Sequence, residues 1–169
     1  MPDINERFEF RCIKAEEAEE AAVIEEICFP PNEACSRKMM YERIQTAPEM
    51  LIVAIDKACG KMAGFLSGLS TDEEKFRDEF FKDASLYDAE GKNVMLLGLD
   101  VLAQYRKQGL ARALMERYQQ KSKDEGRRAL FLTCLDEKVA MYEKMGFTDL
   151  GVSASVWGGE KWHDMKCIL

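Results

Sequence analysis

At 169 residues the chain can bury a core as one domain, spanning 1–169, without disulfides or a structural metal. Its 47% apolar and 33% charged residues exclude the disordered and fibrous classes. A formal charge of −7 argues against nucleic acid, whose binding needs clustered Lys and Arg, and suits a cationic substrate better. No apolar run approaches the roughly eighteen residues of a membrane helix. The charged start, Met1 to Arg11, does not read as a signal peptide, so a cytoplasmic protein without a membrane partner is expected. Six cysteines with no Cys-x-x-Cys pair, and His163 as the lone imidazole, read as reduced thiols and no metal.

In chain order, Phe8 to Lys14 alternates as a half-buried strand. Ala15 to Cys28 is a helix, with Ala18, Ala22 or Val23, and Ile27 as its inner face, stopped by Pro30-Pro31. Ser36 caps a second helix, Arg37 to Thr46, with Met40, Ile44 and Ala47 in helical spacing. Leu51 to Ile55 and Lys61 to Leu69 are strands joined by Asp56 to Gly60, where the glycine supplies a positive φ. Thr71 to Asn93 is irregular, with a short helix expected within Asp72 to Lys82. It reads as a connecting excursion rather than a lid, a choice the residues leave open.

Val94 to Leu102 is a long apolar strand broken by Gly98 and Asp100, and Gly109 to Asp124 is an amphipathic helix with Leu110, Leu114 and Tyr118 on one stripe. Ala129 to Leu135 is a strand, Asp136 to Met145 a helix ended at Gly146, and Phe147 to Val156 and Glu160 to Ile168 are the last strands. The order β-α-α-β-β-β-α-β-α-β-β implies an α/β (α+β) mixed sheet with helices on both faces.

The turn Arg106-Lys107-Gln108-Gly109-Leu110-Ala111 runs from that long strand straight into a helix. A helix start presents unpaired N–H groups and a positive dipole end, so a diphosphate is its natural occupant. Gly109 and Ala111 admit phosphate oxygens, and Arg106, Lys107 and Arg112 add positive charge. By spacing alone, a plain solvated corner is as good a reading.

The same six residues resemble the Gln/Arg-x-x-Gly-x-Gly/Ala signature of the GNAT acyltransferase superfamily, and Met141-Tyr142-Glu143-Lys144-Met145-Gly146-Phe147 resembles its Phe-Tyr-x-x-x-Gly-Phe segment. The element order fits that superfamily over nearly the whole chain. The tail from Cys134 to Leu169, with the strand and turn before it, looks most like its serotonin (arylalkylamine) N-acetyltransferase branch. The resemblance implies a mostly antiparallel sheet of about seven strands whose fourth and fifth strands splay into a cleft for acetyl-coenzyme A. It implies pantetheine contacts from the backbone of Leu99, Asp100 and Val101, and pyrophosphate contacts from Arg106 to Arg112. That branch carries two proton-transferring histidines on its fourth strand, but Met95 and Leu97 stand at the matching positions here, which puts arylalkylamine specificity in doubt.

Acetyl transfer needs a free amine to attack the thioester and an acid to protonate the leaving thiolate. Tyr142, at the family's position, is the expected acid. The base is open among Asp100, Asp136, Glu33 and a water; each carboxylate reads more readily as a helix cap or a solvated side chain than as a base. Cys134 and His163 read as structural. Phe29 and Glu33, in the loop where the superfamily builds its acceptor pocket, read as residues that cover a ring and pair with an ammonium, with a loop anchored by Phe29 in the core as an equally good reading. The expected activity is N-acetylation of a small primary amine, with a catalytically silent acyl-coenzyme A sensor of the same fold as the alternative and a homodimer left open. A nucleotide-binding domain is disfavoured, since the full Gly-x-Gly-x-x-Gly fingerprint is absent.

Overall fold

The computed structural model describes residues 3–169. Seven strands form one sheet in the order β1-β2-β3-β4-β5-β7-β6. They are β1 (Phe8–Cys12), β2 (Leu51–Asp56), β3 (Met62–Thr71), β4 (Asn93–Val101), β5 (Ala129–Leu135), β6 (Thr148–Val152) and β7 (Trp162–Ile168). Every neighbouring pair is antiparallel except β4 and β5, which run parallel. The helices are α1 (Ile4–Arg7), α2 (Ala18–Cys28), α3 (Arg37–Thr46), α4 (Glu79–Lys82), α5 (Leu110–Asp124) and α6 (Val139–Glu143).

Alternation along the strands decides what each face receives. Ile52, Ala54, Leu66, Leu130 and Leu132 meet Leu110, Leu114, Met115 and Tyr118 of α5, and Tyr142 of α6 packs on the edge of this cluster. Val53, Ile55 and Phe65 point the other way, into α2 and α3. Further along that second face, Leu69, Met95, Leu97 and Phe131 are covered by Phe76, Phe80 and Phe81.

The expected elements form with modest changes of boundary. α3 starts where Ser36 caps it, its Oγ accepting from the Met39 N–H at 3.1 Å. Gly60 takes φ +73° in the β2–β3 turn. The helix expected from Ala15 begins as a 3-10 turn, and the one expected over Asp136 to Met145 divides into a 3-10 turn and the short α6. Only Glu79–Lys82 of Asp72 to Lys82 is helical, because the three phenylalanines bury themselves from an irregular chain.

The inner face of α2 corrects the sequence reading. Ala18, Ala21, Ala22, Ile24 and Glu25 are buried, whereas Ile27 is 63% exposed and Val23 lies on the outside. An acid has taken the inward position and an isoleucine the outward one. Ile24→Ala is therefore expected to cost about 2–4 kcal/mol in a urea titration, while Ile27→Ser changes stability by no more than about 0.5 kcal/mol.

Candidate functional site: a cleft through the splayed sheet

The parallel ladder between β4 and β5 pairs only Asn93 with Ala129, Val94 with Leu130 and Met95 with Phe131. Beyond it the strands part, and a cleft of about 770 Å³ opens between Leu96–Val101 and Leu132–Leu135. On β4 the register against β3 shifts between Ser67 and Gly68, which pair with Gly98 and Leu96, leaving Leu97 as the extra residue of a bulge. The bulge falls one residue before Gly98, where the apolar strand is interrupted. Its effect is to change parity: Leu96, Leu99 and Val101 face α5, while Gly98 and Asp100 face α2, where Glu25 lies.

The turn into α5 closes one end of the cleft. Lys107 holds φ +61° and Gly109 φ +83°, and a β-carbon at Gly109 would meet nothing, so the glycine serves its dihedral angle rather than space. The first helical bond runs from the Ala113 N–H to the Gly109 carbonyl at 3.0 Å. Among the described residues, the amides from Lys107 to Arg112 have no backbone partner, a concave set of donors at a helix N-terminus. Arg106, Lys107, Arg112 and Lys138 line the cleft around it. Tyr105 clamps the turn, its hydroxyl donating to Asp56 Oδ2 at 2.6 Å.

The other predicted residues fall as follows. Leu99, Val101, Gly109, Leu110 and Ala111 line the cleft, as do Phe29, Glu33 and Tyr142. The Gln108 side chain accepts from Arg7 and donates to the Gln104 carbonyl, so only its backbone is directed to the turn. The Val101 carbonyl accepts from Arg106 Nε at 2.9 Å and from the Cys28 thiol at 3.5 Å. Burial raises the Tyr142 hydroxyl above its ordinary pKa, with Cys134 and Asp100 adding to the effect, so it is a protonated donor at neutral pH. Its ring meets Phe147 edge-on at 5.8 Å.

Of the candidate bases, Asp100 and Asp136 stand apart from the cleft lining, whereas Glu33 is part of it. Asp136 lies with its side chain 90% exposed, 3.1 Å from His163 Nε2, and His163 Nδ1 is 3.1 Å from Asp149, so the imidazole is held between two carboxylates. Burial pushes the Cys134 thiol up to about 12, and its Sγ sits 3.4 Å from Met165 Sδ, which makes it inert as a nucleophile. Met95 and Leu97 are buried core side chains.

The opposite wall comes from three distant segments joined at Trp157. Its Nε1 donates to the Glu33 carbonyl at 2.8 Å, its carbonyl accepts from Trp162 Nε1 at 2.9 Å, and its ring stacks on Phe81 at 4.8 Å. Phe81 belongs to the Thr71–Asn93 excursion, which thereby contributes to this wall. Glu33 is held above the usual carboxylate range by burial and by Glu160 and Glu137, so this end of the cleft is acidic.

Asp100, 1% exposed, receives no hydrogen bond from a donor among the described residues. Its partner is another carboxylate, Glu25, which is 5% exposed and accepts from the Cys35 N–H at 3.0 Å. Two buried like charges side by side repel, the more strongly the lower the dielectric around them. Burial first, and Glu25 second, therefore raise Asp100 well above the model-compound 3.8. Glu25 was missed in the sequence because α2 offers Val23 and Ile27 as more obvious inward residues; its spacing from Ala18, Ala21 and Ala22 was the available signal.

The acetyltransferase (GNAT) family profile matches residues 19–147. The chain belongs to that family and is an N-acetyltransferase of the GNAT type. Among its relatives is the serotonin N-acetyltransferase of Mesocricetus auratus, 28% identical over 166 residues, covering 95% of this chain and 77% of the relative. The loading GNATL domain of CurA from Lyngbya majuscula superposes with a TM-score of 0.82 at 14% identity, covering 95% of this chain and 97% of that one. The GphF GNAT-like decarboxylase, solved with isobutyryl-CoA, gives 0.77 at 17% identity over 95% and 98%. At such identities the structural matches show a shared fold.

Asp100→Asn tests the buried acid. Below about 3.8 the folded and unfolded states both carry its proton; above it only the folded state does, so wild-type stability declines as pH rises toward the folded value. The variant is expected to be more stable than wild type in urea at pH 8, with the gain shrinking toward pH 4; a uniform loss at both would show the acid to be satisfied as a carboxylate.

Proposed function

We infer that the protein moves the acetyl group of acetyl-coenzyme A to the nitrogen of a small primary amine. The observation that carries this reading is the set of free amides from Lys107 to Arg112 at one end of the splayed cleft, with an acidic, aromatic wall at the other. The turn suits a pyrophosphate, its dipole and Arg106, Lys107 and Arg112 matching the charge. The exposed backbone of β4 past Met95, at Leu99 and Asp100, suits the amides of a pantetheine arm. Acetyl-coenzyme A supplies an activated thioester carbonyl; all other steps belong to the chain.

Phe29, Phe81 and Trp157 bound the acceptor side, and Glu33 draws an ammonium toward it. The nitrogen forms a bond to the carbonyl carbon as the carbon–sulfur bond breaks. Tyr142 donates its proton to the leaving sulfur and recovers one from the acylated nitrogen. The net products are an amide, a thiol and one released proton. The substrate preference for cations follows the acidic wall and the net charge of −7. The free thiols of all six cysteines suit a cytoplasmic location.

Calorimetry with acetyl-coenzyme A, and thiol release against arylalkylamines, polyamines, amino acids and peptides, test this directly. Binding with turnover of a small amine is expected; binding without turnover across the panel would favour the silent sensor, and no binding would overturn the assignment. Tyr142→Phe is expected to lower kcat about 100-fold or more while leaving acetyl-coenzyme A affinity within about twofold. An unchanged kcat would remove Tyr142 as the acid.

A further inference from the structure

The cleft has a feature that the acetyl-transfer reading leaves unused. Gly98 lines its floor with an ordinary φ, so its lack of a side chain concerns space rather than conformation. A β-carbon there would stand 3.1 Å from Asp100 Oδ1, 3.5 Å from Glu25 Oε1 and 3.9 Å from Ser67 Oγ. The glycine is thus a window from the cleft onto a buried acid pair. Asp100 has no donor within reach, and Ser67 Oγ is equally without a partner among the described residues. Glu25 Oε2 is fixed by the Cys35 amide, which leaves Oε1 as its oxygen toward the window.

When ionised, the Asp100 and Glu25 carboxylates can only accept hydrogen bonds, and unpartnered buried acceptors are costly. One proton between them supplies the missing donor. The cleft is where a second proton can arrive: the Leu97 bulge turns Gly98 and Asp100 to the α2 face, the side of Phe29 and Glu33, while Tyr142 packs on the α5 side. Acid and base for the transfer would then lie on opposite sides of the split sheet.

We propose that Glu25 is the catalytic base that takes a proton from the acceptor ammonium, with Asp100 as the positioning residue that holds the pair's other proton and aims Glu25 through the Gly98 window. The assignment rests on the acetyl-transfer reading. In the step, one N–H bond of the ammonium breaks, directly or through a water, and an O–H bond forms on Glu25. The free amine attacks, and Glu25 later releases the proton to solvent. The pair stands in place of the histidines that Met95 and Leu97 do not provide. Charged and titratable groups facing it are Cys28 of α2, with Arg106 beside it, Cys35 with Arg43 beside it, and Tyr142 of α6.

The test compares wild type, Glu25→Gln and Asp100→Asn, using the amine of the panel above that turns over fastest, with 2-phenylethylamine as the reference probe. Acetyl-coenzyme A affinity checks the fold of each variant. Glu25→Gln is expected to lose about 100-fold or more in kcat/KM for the amine, with its remaining activity rising only as the free amine forms at high pH. Asp100→Asn is expected to be more stable than wild type yet slower, with the acidic limb of its pH–rate profile displaced. Infrared difference spectra at neutral pH should show a protonated carboxyl band in wild type that Asp100→Asn lacks. Wild-type turnover with an unchanged pH profile in both variants would overturn the base assignment alone; absence of wild-type turnover for every amine would overturn acetyl transfer and the base with it.

Discussion

The short parallel ladder between β4 and β5 is the constraint on which the site depends. Three residue pairs hold the two halves of the sheet together at Asn93–Met95 and Ala129–Phe131. Had pairing continued, the backbone of Leu96–Val101 would be consumed by β5 and no cleft would exist. The strands can part because each keeps its other neighbour: β4 stays bonded to β3 through Val101, and β5 to β7 through Leu135. The sheet thus loses ladder bonds along one seam without losing its continuity. The α5 side is sealed by Leu110, Leu114 and Met115, and the far side by Phe81 and Trp157.

That split also separates charges. The α5 end gathers free amides and cationic side chains, whereas the α2 end gathers Glu25, Asp100 and Glu33. A molecule of net charge −7 carries its basic groups here where an anion would lie and its acids where a cation would. Such an arrangement suits two substrates of opposite charge approaching one another through the sheet. Burying Asp100 beside Glu25 works against stability at neutral pH, and a feature that costs stability inside a cleft is characteristic of a functional site.

Local signals carried most of the fold. Ser36 and Pro48 bound α3, and an unbroken apolar run bounds β5, so those elements appear at their expected ends. The form of the turn from Arg106 to Ala111 was legible because it rests on one glycine placed where an apolar strand runs into an amphipathic helix. What was not legible depended on long-range contacts. Trp157 becomes a cleft residue only by meeting Glu33 and Phe81, far away in sequence. Glu25 turned inward because α2 is rich in alanine, whose small side chains leave the rotation of the helix to tertiary packing. The bulge at Leu97 has no residue signature, yet it decides which face Asp100 occupies.

Under the proposed function, coenzyme A binds in the open seam and the adjoining turn. Amide chemical-shift mapping on the 15N-labelled protein during titration with coenzyme A tests it most directly. The account predicts that the largest changes fall on Lys107 to Arg112 and on β4 beyond Met95, with the β1–β2 edge unmoved. Saturable binding whose shifts leave both of those segments in place, and fall elsewhere on the molecule, would contradict it.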